Sequence, residues 1–242
     1  MTALRLVAPV LLAAAAAAAP AVQAADIHTV QNLNQAEFRA LSEDLTAALS
    51  FKPMIPSESM GVTGFDVGVS LTGTELQHRG VWAKASGGSE PSSTLPVGTV
   101  RLHKGLPGNV DLGASWSQTD TNASAIGGEV RWAVLPGSTL VPAVALRGSV
   151  SVLSGVSQID MQTYGLDVSV SKGFAFFTPY AGVGAVWTNS DPDGSTGLAK
   201  ESFSQAKVYA GLNVNLGLLN LAAEADRTGD ATSYGLKVGV RF

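Results

Sequence analysis

Tyr164-Gly-Leu-Asp-Val-Ser-Val-Ser171 sets Tyr164, Leu166, Val168 and Val170 on one side of an extended chain and Gly165, Asp167, Ser169 and Ser171 on the other. Successive side chains of a strand point to opposite faces, so this alternation reads as a β-strand with one apolar and one polar face. The preceding stretch repeats the pattern, with Val144, Leu146, Val150 and Val152 against Ala145, Arg147, Ser149 and Ser151. A turn-forming cluster, residues 155–160, joins the two. Centring that loop near Ser157 puts Arg147 opposite Asp167, an ion pair on the shared polar face.

Working outward, the chain from Val62 onward falls into ten such segments separated by Gly, Pro, Asn, Asp and Ser. Before the central pair lie apolar faces carrying Phe65, Val67, Val69 and Leu71; then Val100 and Leu102, a weaker segment whose pattern Val97 breaks; then Val110, Leu112, Ala114 and Trp116; then Ile126, Val130, Trp132 and Val134. After it come Phe177, Ala181, Val183, Ala185 and Trp187; then Ala206, Val208, Ala210, Leu212 and Val214; then Leu219, Leu221, Ala223 and Ala225; and finally Tyr234, Leu236, Val238, Val240 and Phe242.

A soluble β-sandwich alternates too, but three features favour a barrel in a membrane. Short connections (residues 105–108, 136–139, 172–173 and 217–218) alternate with longer polar ones, as in outer-membrane barrels, whose short turns face the periplasm. Large aromatics sit at the ends of the apolar faces, with Trp116, Tyr164, Trp187 and Tyr234 at the outer rim and Phe65, Trp132, Phe177 and Phe242 at the inner one, forming two interfacial girdles. The apolar faces carry charge only at Lys104, Lys172 and Arg227, near strand ends, where long side chains can snorkel. The expectation is an all-β protein: a ten-stranded antiparallel transmembrane β-barrel over residues 62–242, with eight strands as the alternative if the weak second segment and a neighbour fail to pair. Ten strands place both barrel termini on the periplasmic side.

The last nine residues, Tyr234-Gly-Leu-Lys-Val-Gly-Val-Arg-Phe242, resemble the closing strand of Gram-negative outer-membrane β-barrels. That resemblance implies export to the outer membrane, contact with its lipid, and reading of the C-terminal strand by the barrel-assembly machinery. It carries over no functional residue.

On the inward faces this parity places six acids (Asp66, Asp111, Glu129, Asp167, Glu224 and Asp226) and six bases (Arg101, Arg131, Arg147, Lys207, Lys237 and Arg241). Besides Arg147 with Asp167, the expected pairs are Arg101 with Asp111, Glu224 with Lys237, and Asp66 with Arg241 across the closing seam. Balanced charges in so narrow a lumen favour a zipped interior over a solute path, since eight strands are just filled by side chains and sixteen leave a channel.

The front of the chain reads differently. Arg5, the apolar run of residues 6–19, Pro20 and small residues up to Ala25 have the order of a secretory signal peptide, with cleavage expected after Ala24; the run is too short to span a bilayer as a helix. Residues 25–61 form an N-terminal segment assigned to the periplasm. In it Asn34 and Glu37 make an N-cap and partial capping box, and Phe38, Leu41, Leu45, Ala48 and Leu49 recur at helical spacing until Pro53, giving one short amphipathic helix over about residues 35–49. Packing at the barrel mouth or on an unidentified partner is expected; a plug in a polar lumen suits its apolar stripe less well.

Composition narrows the function classes. Hydrophobic residues make up 45% against 14% charged, which excludes disorder; the absence of Cys removes disulfide and thiolate chemistry; a net charge of −4 argues against nucleic acid. Of the three His, only His78, near Glu75 and Arg79 in the first outer loop, lies where a rim hydrolase or protease would need a base. His28 lies near the expected mature N-terminus and His103 near the periplasmic end. Asp191-Pro-Asp193-Gly194 is ordinary turn chemistry, lacking the later chelating positions of a calcium loop. No catalytic, cofactor or metal site is assigned. The expected role is structural and non-enzymatic, with a narrow porin-like channel as the alternative and a lipid-modifying or proteolytic rim enzyme third.

Overall fold

The computed structural model describes residues 26–242; the signal peptide assigned to residues 1–24 lies outside them. Ten antiparallel strands form a closed barrel in which each strand pairs with its sequence neighbours and the first with the last. They are β1 (Phe65–Glu75), β2 (Thr94–Leu106), β3 (Val110–Thr119), β4 (Ser124–Leu135), β5 (Ala143–Ser154), β6 (Ile159–Ser171), β7 (Phe177–Pro192), β8 (Glu201–Leu216), β9 (Leu219–Thr228) and β10 (Ala231–Arg241). The weak second segment is a full strand, β2, paired with β1 and β3, so the count is ten and not eight. At the seam Phe65 and Phe242 exchange backbone hydrogen bonds of 2.8 and 3.0 Å, leaving no free edge there.

Period-two sequence becomes two-faced structure along every strand. In β6, Tyr164, Leu166, Val168 and Val170 are exposed while Thr163, Asp167, Ser169 and Ser171 are buried. Side chains such as Val130, Val183 and Leu236 lie more than half exposed on the outer surface. An apolar belt running round a whole sheet would be an aggregation hazard in water and is the expected surface in lipid.

Small residues shape the inner wall. Tyr209 lies flat over Gly182, and Tyr180 over Gly211; a Cβ at either glycine would come within 2.4 Å of the opposing ring. The two tyrosines thus run along the wall, and their hydroxyls donate to Glu224 (2.8 Å, from Tyr180) and Asp167 (2.7 Å, from Tyr209).

Residues 107–109, 136–142, 172–176 and 217–218 connect the strands at one end, which we call inner. At the other lie residues 76–93, 120–123, 155–158, 193–200 and 229–230, so the expected alternation of short and long connections holds only in part; the first of these loops is the longest and carries helix α2 (Arg79–Ala85). Helix α1 (Gln35–Leu49) starts at the Asn34 cap with both capping-box bonds made. It does not pack at the inner mouth, the placement that its apolar stripe suggests. It lies inside the outer half of the barrel, where Phe38, Leu41, Leu45 and Leu49 pack with Trp82 of α2 and with inward-facing Leu95, Val97, Ala125, Leu153, Ile159 and Met161. These apolar residues at the outer strand ends line that half of the lumen with hydrocarbon, which removes the objection to a plug. From Ser50 the chain runs as an extended strap down the lumen to Gly61, beside Gly64 and Gly105 at the inner end, where β1 begins.

Candidate functional site: the occupied lumen

The strap carries two prolines and forms no helix or strand of its own, so its backbone polar groups need partners from elsewhere. The barrel wall supplies them. Lys207 Nζ donates to Phe51 O (2.7 Å); Arg101 donates to Lys52 O (2.8 Å) and Pro53 O (3.3 Å); Arg131 donates to Pro56 O (2.6 Å) and Glu58 O (3.5 Å). In the other direction Met54 N donates to Glu224 (2.8 Å), Ser57 N to Ser171 Oγ (3.0 Å) and Met60 N to Asp111 (3.1 Å). The strap adds one buried cation: Lys52 Nζ lies 2.7 Å from Asp226 Oδ1 and also donates to Ala47 O and Ser233 Oγ. Asp226 further accepts from Thr228 and faces Lys207 Nζ at 4.0 Å.

Charges that sequence parity placed inward do face inward, but their pairing differs from the expected zip. Arg147 stands opposite Asp167 and binds it at 2.5 Å. Arg101 does not meet Asp111: the register sets Arg131 directly across from Asp111, at 2.7 Å, and Arg101 turns to the strap and to Ser70. Lys237 does not meet Glu224; its stem lies over Gly68 and its ammonium binds Asp66 at 2.6 Å. Asp66 is therefore taken, and Arg241, opposite it in the register, leaves Nη1 without a hydrogen-bond partner. Glu129 lies 3.1 Å from His103 Nε2 and 3.5 Å from Arg147 Nη1. His103 is fully buried, its ring lying over Gly113, where a Cβ would come within 2.6 Å of it. Small cavities lie between strap and wall, one beside Ser50, Phe51 and Arg101, another beside Phe51, Ser149 and Asp167. Each holds ≈ 10 Å³, room for about one water.

The outer mouth is capped. Asp44 of α1, buried, accepts from Trp82 Nε1 (3.0 Å), His78 N (3.0 Å) and Gln77 N (3.3 Å), and lies 3.2 Å from His78 Nδ1. His78, expected to be a lone loop residue, therefore has a carboxylate on its ring, but one shared with the α2 loop. His28 packs by Gly87 at the same mouth. Asn122 and Ile27 exchange hydrogen bonds, Gln158 bonds Val30 N and Gln31, and Gln35 bonds Ala199 in both directions. Glu37 is held below the ordinary carboxylate range by a hydrogen bond from Lys84 and by the Asn34 N–H.

The residues expected to form the two girdles lie on the outer surface. Trp116, Tyr164, Trp187 and Tyr234 are exposed toward the loop end, with Tyr164 directly opposite Trp187. Phe65 and Phe242 touch at the inner end (ring centroids 5.8 Å apart), near which Trp132 and Phe177 also lie. Phe177 stacks on Phe174, a turn residue that alternation could not flag because it lies outside a strand. Lys52 and Asp44 are lumen residues that sequence parity could not place, whereas Tyr180 and Tyr209 lie inward as their strand parity implied. Lys52 and Asp44 belong to the plug, and the tyrosines are aromatic residues on a polar face. Among the described residues no group of three or more His, Cys, Asp or Glu is placed to hold a metal ion.

No protein-family model and no curated sequence matches the chain. Solved structures do. An outer-membrane channel from Pseudomonas putida F1 is similar at 14% identity and TM-score 0.50, over 79% of this chain and 100% of that one. The N-terminal β-barrel domain of Pseudomonas aeruginosa OprF is similar at 14% and 0.37 (75% and 99%), and the attachment invasion locus protein Ail of Yersinia pestis at 13% and 0.36 (78% and 100%). At these identities the likeness is one of fold.

Proposed function

From an outer-membrane β-barrel that faces lipid outside and holds its own N-terminal segment inside, we propose a non-enzymatic, non-conducting envelope protein. The observation that carries this reading is the strap: both its carbonyls and its N–H groups are bound by charged wall residues, and the gaps beside it hold about one water each. A barrel built to pass solutes has no use for arginines directed at its own backbone. Six of the inward charges, Arg101, Asp111, Arg131, Lys207, Glu224 and Asp226, then act as a receptor for residues 50–60, while Arg147 with Asp167 and Lys237 with Asp66 pair across the wall. In the same reading the signal peptide is removed after Ala24, and the assembly machinery engages β10 through its terminal Phe242.

Purified full-length protein in planar bilayers is expected to show no single-channel steps; well-defined steps in the unmodified chain would end this reading. The second reading, a narrow channel for small solutes, draws support from the name of the P. putida neighbour and requires the strap to leave the lumen. A rim hydrolase would need Asp44 to orient His78, yet that carboxylate also holds Trp82 and two backbone N–H groups.

A further inference from the structure

The path of the chain raises a topological question. β1 starts at the inner end, so a segment preceding it needs only to hang in the periplasm. Residues 26–61 instead climb the whole lumen. The fifteen residues of α1 rise about 22 Å and the extended strap adds up to about 40 Å, more than the roughly 25 Å apolar belt of an outer-membrane barrel. At the top, residues 27–39 bind four outer loops in turn: His28 N and Thr29 N donate to Ala85 O in the first, Ile27 bonds Asn122 in the second, Val30 bonds Gln158 in the third, and Gln35 bonds Ala199 in the fourth. Asp26, Gln31, Asn32 and Ala36 are exposed there, while Ile27, Val30 and Leu33 of the same stretch join the top of the apolar cluster that seals the outer half of the lumen.

We infer that the amino-terminal arm, residues 26–36, passes through the barrel's own lumen and stands on the cell surface, where with the four loops it forms the face the protein presents outside. This rests on the outer-membrane reading and goes beyond it: a structural barrel does not require its amino-terminal arm to cross the membrane. It also assigns a task to the lumen charges, which hold an extended backbone in place across the bilayer. The barrel must close around the strap during assembly, because a finished barrel with an apolar seal at its outer half offers no easy entry to an amphipathic helix.

The chain contains no cysteine, so each introduced one is the sole thiol label. Asn32→Cys and Ala36→Cys report on the arm, Ser195→Cys on an outer loop and Thr139→Cys on an inner turn; all four sites are exposed. Intact cells are treated with a membrane-impermeant maleimide, and heat-modifiable migration verifies that each variant has folded. The arm variants are expected to label as fully as Ser195→Cys, with Thr139→Cys reacting only after permeabilisation. Ser195→Cys labelling on intact cells while both arm variants wait for permeabilisation overturns the inference and leaves the barrel reading standing. Thr139→Cys labelling while Ser195→Cys does not would reverse the barrel in the membrane and overturn it as well. In the double variant Ser42→Cys/Ser190→Cys, whose native hydroxyls lie 2.9 Å apart, a disulfide formed in folded protein is expected to fix α1 inside the lumen.

Discussion

Lys52→Met severs the one buried ion pair between strap and wall. Lys52 and Asp226 have side chains 7% and 1% exposed, and their charged atoms lie 2.7 Å apart. Removing one member of a buried pair typically costs about 3–5 kcal/mol, because the other charge stays behind uncompensated. Here Lys207 Nζ remains 4.0 Å from the second oxygen of Asp226, so the cost falls near the lower end, about 3 kcal/mol. The released strap lets water reach Asp226, so this energy appears in the docking equilibrium of residues 35–61, shifting it by roughly 100-fold at about 1.4 kcal/mol per decade. Amide hydrogen exchange resolves this, since local opening is read segment by segment. Exchange across α1 should quicken by that factor while strand amides in β3–β6 keep their protection. Asp226→Asn should act similarly, leaving two lysines facing a neutral amide. The double variant removes both charges and should recover most of the loss, a coupling well above the few tenths of a kcal/mol expected of independent sites. Additive single effects, or unchanged α1 exchange in Lys52→Met, would refute the claim that this pair fastens the strap.

Four further outcomes follow from the same contacts. Asp44→Asn takes the charge from an acceptor serving Trp82, His78 and Gln77, and should loosen the α2 loop by about 1–3 kcal/mol, seen as faster proteolysis within residues 76–93 at unchanged barrel stability. Asn34→Ala removes the helix cap and should weaken the first turn of α1 by about 1 kcal/mol, read from the protection of its amides. The Glu37 carboxyl is held low by Lys84 and the Asn34 N–H, so its contribution is complete above the unfolded carboxylate pKa and is lost as pH falls through the folded one; protection at the Asn34 amide, normalised for intrinsic exchange, should drop on acidification and not on moving to alkaline pH. Val183→Arg, in the exposed belt, should cost about 2–4 kcal/mol in folding into bilayers, with little effect if that face met water.

Much of the barrel was legible because strand parity is a local property. Leu166 and Asp167 are neighbours in sequence and must point to opposite faces of the wall; once one face meets lipid, the other is the lumen. The ion pair of Arg147 with Asp167 followed from one loop length, and the seam partners Asp66 and Arg241 do stand opposite each other in the register. Side-chain reach is less local. Arg131 took Asp111 because the β3–β4 register put it directly across, and Lys237 reached Asp66 because Gly68 left its stem a path.

The sequence by itself determined a lipid-facing barrel wall with mixed charge inside and a capped helix ahead of it, since period, turn and cap are each written within a few residues, while the pairing of β2 on both sides settled the count at ten. Only the tertiary structure decided what fills that wall. Leu95, Val97, Leu153, Ile159 and Met161 come from three strands, and the apolar socket they form for α1 exists only once the barrel has closed. The strap's carbonyls likewise find Arg101, Arg131 and Lys207 on three different strands, a match of distant groups that no window of sequence contains.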